Sequence, residues 1–542
     1  MPGPSCFVGV DVGTSSARAG VFDRSGKLLA AARHDLETWH DTGDVVEQSA
    51  DQVWAAVCAS VRQAIKEARV DVSTIAGIGF DATCSLVLVK QDGTPVTVSS
   101  SSDANRNIMV WMDHRAGGEA EHINAGHHEV LRYVGGRISP EMETPKLLWL
   151  KRNLPGSFAT ADYFFDLPDY LTWRASGSLA RSICTVTCKW TYLAHEKRWD
   201  AKYFEAIGLG ELAAENFVRI GTEIVSPGTA LANGLTEKAA SELGLVRGTA
   251  VAASLIDAHA GGVGTLGGMI AGSTIAVGNR LAYIFGTSAC AMASTPQAVF
   301  VDGVWGPYFS AMIPGLWLNE GGQSAAGSAI DHLAHLHPAS AEAEILAKKA
   351  GLSLVAWLDA QAVAKAPELS AAIDLCMSIH VVPEFLGNRS PFAEPEARAV
   401  IAGLGLEVSL ESLVALYVAG LSGIGYGLKQ LLDKFTNDGI QIDVIVASGG
   451  AAQSALVCQM LADTTNTPVA IAETQEPVLL GSAMLAAVAA GRSLAECMAT
   501  MSGSLKLFSP AGGAVAKTHA HRFKAFETLQ TAARYIRVAQ TG

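Results

Sequence analysis

The chain has 542 residues, which at roughly 150 residues per domain leaves room for two large or three to four smaller domains with sizeable cores. Hydrophobic residues make up 49% and charged residues 17%, a globular balance that excludes a mainly disordered chain. Lys and Arg total 39 against 52 Asp and Glu, a net charge of −13, so a nucleic-acid binder with a basic reading face is not expected.

Met1 to Ser5 carries no basic residue and leads into no cleavage-site pattern, so no signal peptide is expected. From Phe7 the chain reads as a meander: a Val-rich strand to Asp11, a Gly13-Thr14-Ser15-Ser16 turn, a strand from Arg18 to Asp23, a Ser25-Gly26 turn and a strand from Leu28 to His34. Ser49-Ala50-Asp51-Gln52 is a capping pattern, and Val53, Trp54, Val57, Cys58, Val61 and Ile65 follow at helical spacing, which predicts a helix over Ala50 to Ala68. Buried strands are expected at Ile75 to Phe80, ending on Asp81, and at Ala250 to Ile256, ending on Asp257. The nine cysteines are scattered and odd in number, as free thiols of a reducing cytoplasm would be. Cys184 and Cys188 fall one helical turn apart with no second Cys/His pair at ligand spacing nearby, so no zinc site is expected there. His332, His335 and His337 read as a solvated helix end. No membrane span is expected: Ala260 to Asn279 is broken by Gly, and Leu413 to Leu428 reads as a buried helix.

A second section begins near Gly272. Leu281 to Phe285 is an expected strand, Gly286-Thr287-Ser288 a turn, and Cys290 to Ser294 a returning strand, which repeats the plan of the N-terminus and suggests a duplicated α/β unit. Asp443 to Ala447 is an expected strand, Ser448-Gly449-Gly450-Ala451 a turn, and Ala452 to Asp463 a helix. All three turns follow strands. Gly lets backbone N–H groups close on an anion, and Thr or Ser adds a hydroxyl. At the third turn a helix N-terminus adds its dipole. Asp11 is suited to a hydrated Mg2+ and Arg18 to a γ-phosphate. Neither G-x-x-x-x-G-K-[ST] nor a strand–G-x-G-x-x-G–helix fingerprint is present.

The ordered set Asp-x-Gly-Thr, Gly-Thr-Ser and Gly-Gly-Ala resembles the FGGY family of carbohydrate kinases, within the actin-like ATPase fold group. Further matching segments are Gly79 to Ser85, Trp111 to Arg115, Pro145 to Leu150, Cys188-Lys189-Trp190, Ile256 to Gly261, Glu320 to Ser324, and Gly387 to Pro391. The resemblance covers roughly residues 6 to 490 and is nearest to the pentulose kinases that act on ribulose. It implies an α/β fold of two ribonuclease-H-like domains with the active site in the cleft between them. Residues 1–265 would bind the sugar and hold the catalytic Asp, 272–490 would bind nucleotide, and 491–542 would be a helical tail. It also implies ATP and Mg2+ as cofactors and a cytoplasmic homodimer.

Asp257, at a strand end before a Gly-rich stretch, is suited to take a proton from a sugar hydroxyl as that oxygen attacks phosphorus. The resemblance places the catalytic Asp at this position; relatives often carry Gly where this chain has Ser254. Trp111, Asp113 and Arg115 offer a wall, an acceptor and a donor for a sugar. The resemblance adds Lys189 and Glu320 as sugar contacts and Ala82 as a small residue that leaves room, with His114 and Gln323 second in rank. Pro145 to Leu150 reads as a buried helix, and Gly387 to Pro391 as a loop near the nucleotide. The expected reaction is D-ribulose to D-ribulose 5-phosphate, with L-ribulose, ribitol and xylulose as alternatives. An actin-like ATPase scaffold would share the phosphate turns but not the sugar set, and a non-catalytic sugar sensor would not need Asp257.

Overall fold

The computed structural model describes residues 6–41, 43–270, 275–376, 378–472 and 476–541; Met1 to Ser5 and the section start at Gly272 lie outside them. Two mixed sheets organise the chain. In the first, Leu28–Asp35, Ser16–Phe22 and Cys6–Val12 run antiparallel, and Ile75–Ala82 and Ala250–Val251 continue it in parallel. In the second, Trp317–Gln323, Ala289–Thr295 and Arg280–Phe285 run antiparallel, and Val444–Ser448 and Val469–Ala472 continue in parallel. The same order of three antiparallel and two parallel strands occurs twice, as the repeated Gly-Thr hairpins predict. Parallel strands need both faces covered. Helix Ala50–Ala68 covers the first sheet with Val53, Trp54, Val57 and Val61. The long helix Leu410–Asn437 serves the second. It is long and apolar enough to cross a membrane, but most of its apolar stretch is buried in this core.

Several boundaries differ from the sequence reading. The second strand starts at Ser16 rather than Arg18, because Gly13 N–H bonds the Ser16 carbonyl at 3.0 Å and closes a tighter turn. The expected strand Ala250 to Ile256 is two short ones, Ala250–Val251 and Leu255–Ile256. Between them Ala253 N–H turns to the Thr229 carbonyl, and Ser254 donates to Asp169 at 3.2 Å. After the third turn, Ala451–Gln453 form a 3-10 turn and the α-helix begins only at Ala455, capped by the Ser454 hydroxyl. The segment expected as a helical tail holds helices Leu494–Met501 and Gly513–Thr541 with a strand between them, Leu505–Phe508, which pairs antiparallel with Val469–Ala472 at the sheet edge. Pro145 to Leu150 lies in the helix Glu143–Asn153, buried as expected.

Helix Pro477–Ala489 closes the second half in sequence yet packs on the first sheet. A Cβ at Gly9, Gly77 or Gly79 would stand 2.0, 2.5 or 2.1 Å from carbonyls of Leu479, Ala486 or Ser482. The same helix crosses helix Asp257–Leu266 at backbone contact. A Cβ at Gly481 would meet the Ala260 carbonyl at 1.9 Å, and one at Gly264 the Pro477 carbonyl at 2.1 Å. We expect Gly481→Ala to destabilise the protein by roughly 1–3 kcal/mol or more through overpacking, whereas Gly118→Ala, at an open helical position, gains up to about 1 kcal/mol. Urea unfolding of the two variants beside the wild type checks the contrast, and equal stabilities would refute it.

Candidate active site

Three strand ends converge on one cleft. Asp11 and Asp81 stand opposite each other in the parallel pair Cys6–Val12 and Ile75–Ala82. Leu255–Ile256 pairs with Asp81 and Ala82, so Asp257 follows at the first turn of its helix beside them. A cavity of about 420 Å3 opens there, lined by Asp11, Asp257, Lys189 and Glu320 among others. It adjoins two further cavities. One of about 590 Å3 is lined by Arg18, Ser448, Gly449, Gly450 and Glu476. The other, of about 790 Å3, is lined by Gly286, Thr287, Gly450 and Ala451, with an apolar wall that includes Ile330, Leu421 and Val457.

All three Gly turns thus face connected space. Gly13 and Thr14 line the first cavity with Gly286, Thr287 and Ser288. Gly449 has φ 94°, and a Cβ there would stand 2.4 Å from the Phe285 carbonyl, so only glycine fits between the two turns. Ser15 is exposed and lies off the lining, where Ser16 stands in its place.

The acidic cluster is short of positive charge. Arg18 bonds Asp11 through both Nε, at 2.8 Å, and Nη2, and reaches Glu476 at 2.9 Å. Asp81 accepts from the Ser482 hydroxyl at 2.5 Å, while its Oδ1 finds no donor among the described residues. Burial, then the Asp11 charge, pushes the Asp257 carboxyl up to about 6. Burial, with Asp11 and Asp257 nearby, raises Asp81 well above the usual range. Three carboxylates at parallel strand ends with one guanidinium, and an orphaned oxygen among them, suit a hard divalent cation.

The other wall carries the sugar candidates. Glu320 sits on strand Trp317–Gln323. Burial alone would raise its carboxyl, but His259, Lys189 and Arg389 hold it down at about 2. Lys189 ends helix Ile183–Lys189 with Nζ 4.8 Å above the Trp305 ring. Burial would lower the Lys189 ammonium, but neighbours including Cys84, Glu320 and Glu141 raise it. Trp111 lines the cavity, and its indole N–H bonds the Thr14 hydroxyl at 2.9 Å, which fastens this wall to the first Gly turn.

Asp113 and Arg115 are not brought to the cleft. Asp113 is fully buried and accepts from Val46 N–H at 2.8 Å and from Arg115 Nε at 2.9 Å. Arg115 also bonds Glu47 at 2.7 Å, and Arg106 completes the network on the other Glu47 oxygen at 2.6 Å. The acceptor and donor expected for a sugar thus satisfy each other behind Trp111. Ala82 is buried in its strand, and Thr83 and Cys84 reach the lining instead. His114 stands 3.6 Å from Glu141, which does line the cavity. Gln323 is committed to the Tyr283 hydroxyl and the Ile424 carbonyl.

Sequence reasoning missed Glu141, Trp305 and Arg389, which line the same cavity. Glu141 and Trp305 lie in segments with no motif. Arg389 lies in the Gly387–Pro391 loop, read as a nucleotide neighbour, but it faces the Lys189 and Trp305 side. The histidine run does not assemble: His337 is buried against Ser412, and His335 bonds within its own helix. Cys184 and Cys188 do gain a partner, since the fold brings His259 to them from 75 residues beyond Cys184.

The family model for the FGGY carbohydrate kinase N-terminal domain matches residues 6–264, and that for the C-terminal domain matches residues 281–490. An FGGY carbohydrate kinase domain-containing protein of Homo sapiens is 44% identical over 93% of this chain and 92% of its own length. A D-ribulokinase of Saccharomyces cerevisiae is 37% identical over 90% of this chain and 72% of its own. Among solved structures, a xylulose kinase from Brucella ovis superposes with a TM-score of 0.79 at 20% identity, covering 98% of this chain and 100% of that one. A Plasmodium falciparum glycerol kinase with ADP gives 0.75 at 17% identity, covering 98% of each. These two likenesses are of fold. With both halves matched by the family models, the chain belongs to the FGGY family of carbohydrate kinases, enzymes that take ATP as phosphate donor.

Proposed function

We propose that the protein transfers the γ-phosphate of ATP to a pentulose, with D-ribulose as substrate and D-ribulose 5-phosphate as product. The observation that carries this reading is Asp257, a carboxylate pushed up to about 6, in the same cavity as the Gly13–Thr14 and Gly286–Ser288 turns and the Lys189–Glu320 pair. The similarity to a yeast D-ribulokinase over most of the chain supports the sugar.

The roles follow from the groups. Asp257 accepts the proton of the attacking hydroxyl, the sugar oxygen bonds to phosphorus, and the bond to the bridging oxygen breaks to release ADP. Backbone N–H groups and hydroxyls of the Gly turns hold the phosphates. Arg18 balances Asp11 and Glu476 beside them. Asp11, with Asp81 behind it, would hold Mg2+, which when bound neutralises phosphate charge. Lys189 and Glu320 pair with sugar hydroxyls, and Trp111 with Trp305 walls the ring or chain. The cavity of about 790 Å3 between the turn at Gly286 and Thr287 and the turn at Gly450 and Ala451 takes the adenosine. In this reading residues 1–265 bind sugar and carry the base, 272–490 bind nucleotide, and 491–542 complete the second half's edge. The unpaired cysteines fit a cytoplasmic protein, and a homodimer is the expected assembly.

Asp257→Ala should lower kcat by about 100- to 10,000-fold while ATP binding by calorimetry persists; near-normal turnover would remove Asp257 as the base. The base works ionised, so activity is present above its pKa and lost below it. The wild-type kcat/KM should fall about tenfold per pH unit below about 6 and level off above; a flat profile from about pH 5 to 8 would contradict this. In a coupled ADP assay D-ribulose should give the highest kcat/KM among D-ribulose, L-ribulose, ribitol and D-xylulose. A higher value for any of the others would reassign the substrate.

A further inference from the structure

Behind Glu320 lies a buried group that the transfer chemistry does not use. His259, on the helix that begins with Asp257, is completely buried. Its Nε2 is 3.3 Å from Glu320 Oε2, and its Nδ1 is 3.0 Å from Cys184 Sγ. An ionised carboxylate only accepts, so Nε2 carries the proton in that bond. Nδ1 then either accepts from the Cys184 thiol or donates to its thiolate, and in both states the ring is held in one orientation. Cys184 is itself fixed. It lies in the first turn of helix Ile183–Lys189, which Ser182 caps, and Ile256 N–H points at its sulfur from 3.5 Å. Cys188, one turn on, lies close enough for its sulfur, the Cys184 sulfur and a His259 nitrogen to fall within 4.8 Å of one another.

Such a trio has the composition of a metal site. Its surroundings point elsewhere. The second ring nitrogen faces a carboxylate that lines the sugar cavity, and the short helix that anchors Cys184 ends in Lys189 in that same cavity. One chain of contacts therefore runs from the helix of Lys189 through Cys184 and His259 to Glu320, and passes two residues from Asp257. We propose that Cys184 and His259 are positioning residues that fix the Glu320 carboxylate by Oε2, leaving Oε1 to read one hydroxyl of the sugar. Without the ring, a carboxylate on a three-bond side chain has several rotamers to choose from. With it, the sugar meets a preset acceptor at lower ordering cost.

The proposal rests on the reading of Glu320 as a sugar contact, and a double-mutant cycle separates the two. Glu320→Gln, His259→Leu and the double variant would be assayed for KM of D-ribulose and of ATP, with thermal unfolding of each. We expect His259→Leu to raise the sugar KM roughly 10- to 100-fold, with the ATP KM changed by less than about twofold. The double variant should bind sugar no worse than Glu320→Gln alone, because coupled residues are not additive. His259→Gln, which retains a donor, should recover part of the affinity, and Cys184→Ser more than Cys184→Ala. If His259→Leu is unstable, the His259→Gln and Cys184 pairs carry the same comparison. Additive penalties, or a lower melting temperature with an unchanged sugar KM, would overturn the relay. So would stoichiometric zinc in the purified protein that is lost in Cys184→Ala. A wild-type sugar KM in Glu320→Gln would instead overturn the reading of Glu320 beneath it, and the relay with it.

Discussion

Two helices meet backbone to backbone beneath the cleft, and the site depends on that contact. Helix Asp257–Leu266 presents Gly264 to the Pro477 carbonyl, and helix Pro477–Ala489 returns Gly481 to the Ala260 carbonyl. On its other side Pro477–Ala489 lies on Gly9, Gly77 and Gly79 of the first sheet. A backbone contact cannot relax by side-chain rotation, and dense packing transmits any shift. Asp257, in the first turn of one helix, is therefore held at a set height against Asp11 and Asp81. Val478, in the first turn of the other, lines the same cavity.

Burial then makes each charge depend on its neighbours. Two carboxylates in one cavity are driven apart: Asp257 rises to about 6 where burial and Asp11 act together, and Glu320 falls to about 2 where His259 and the cations outweigh burial. The first holds a proton more readily than an ordinary carboxyl, and the second stays ionised. Opposite shifts of this kind separate a proton carrier from a binding group. The net charge of −13 has little bearing on this. The Gly turns offer backbone N–H groups, which no charge count includes, and the cations that line the cavity are few.

Much of the fold was legible because its signals are local. Alternating Val residues, a Ser49 cap and the repeated Gly-Thr turns marked strands, helix and duplication. The Gly turns and Asp257, which the fold brings to adjoining cavities, were legible for the same reason, since each lies at a strand end in a run of adjacent residues. Asp113 and Arg115 misled, because two residues in sequence that offer an acceptor and a donor can satisfy each other. They do so here, with Glu47 from an earlier strand and Arg106 closing the network. Glu141 and Trp305 carried no local pattern at all. The break in the expected strand Ala250 to Ile256 came from partners such as Asp169 and Thr229, which lie elsewhere in the chain.

Residue type and backbone conformation over a few positions were enough to mark the family, the Gly-rich strand-turn elements and Asp257 at its strand end. Long-range packing set which side chains share the cavity and what charge each holds. It turned Asp113 inward, brought Arg389 across from the second half, and set His259 between Cys184 and Glu320. Those outcomes depend on distances between residues far apart in the chain and on the exclusion of water around them, and neither quantity is carried by neighbouring residues in a sequence.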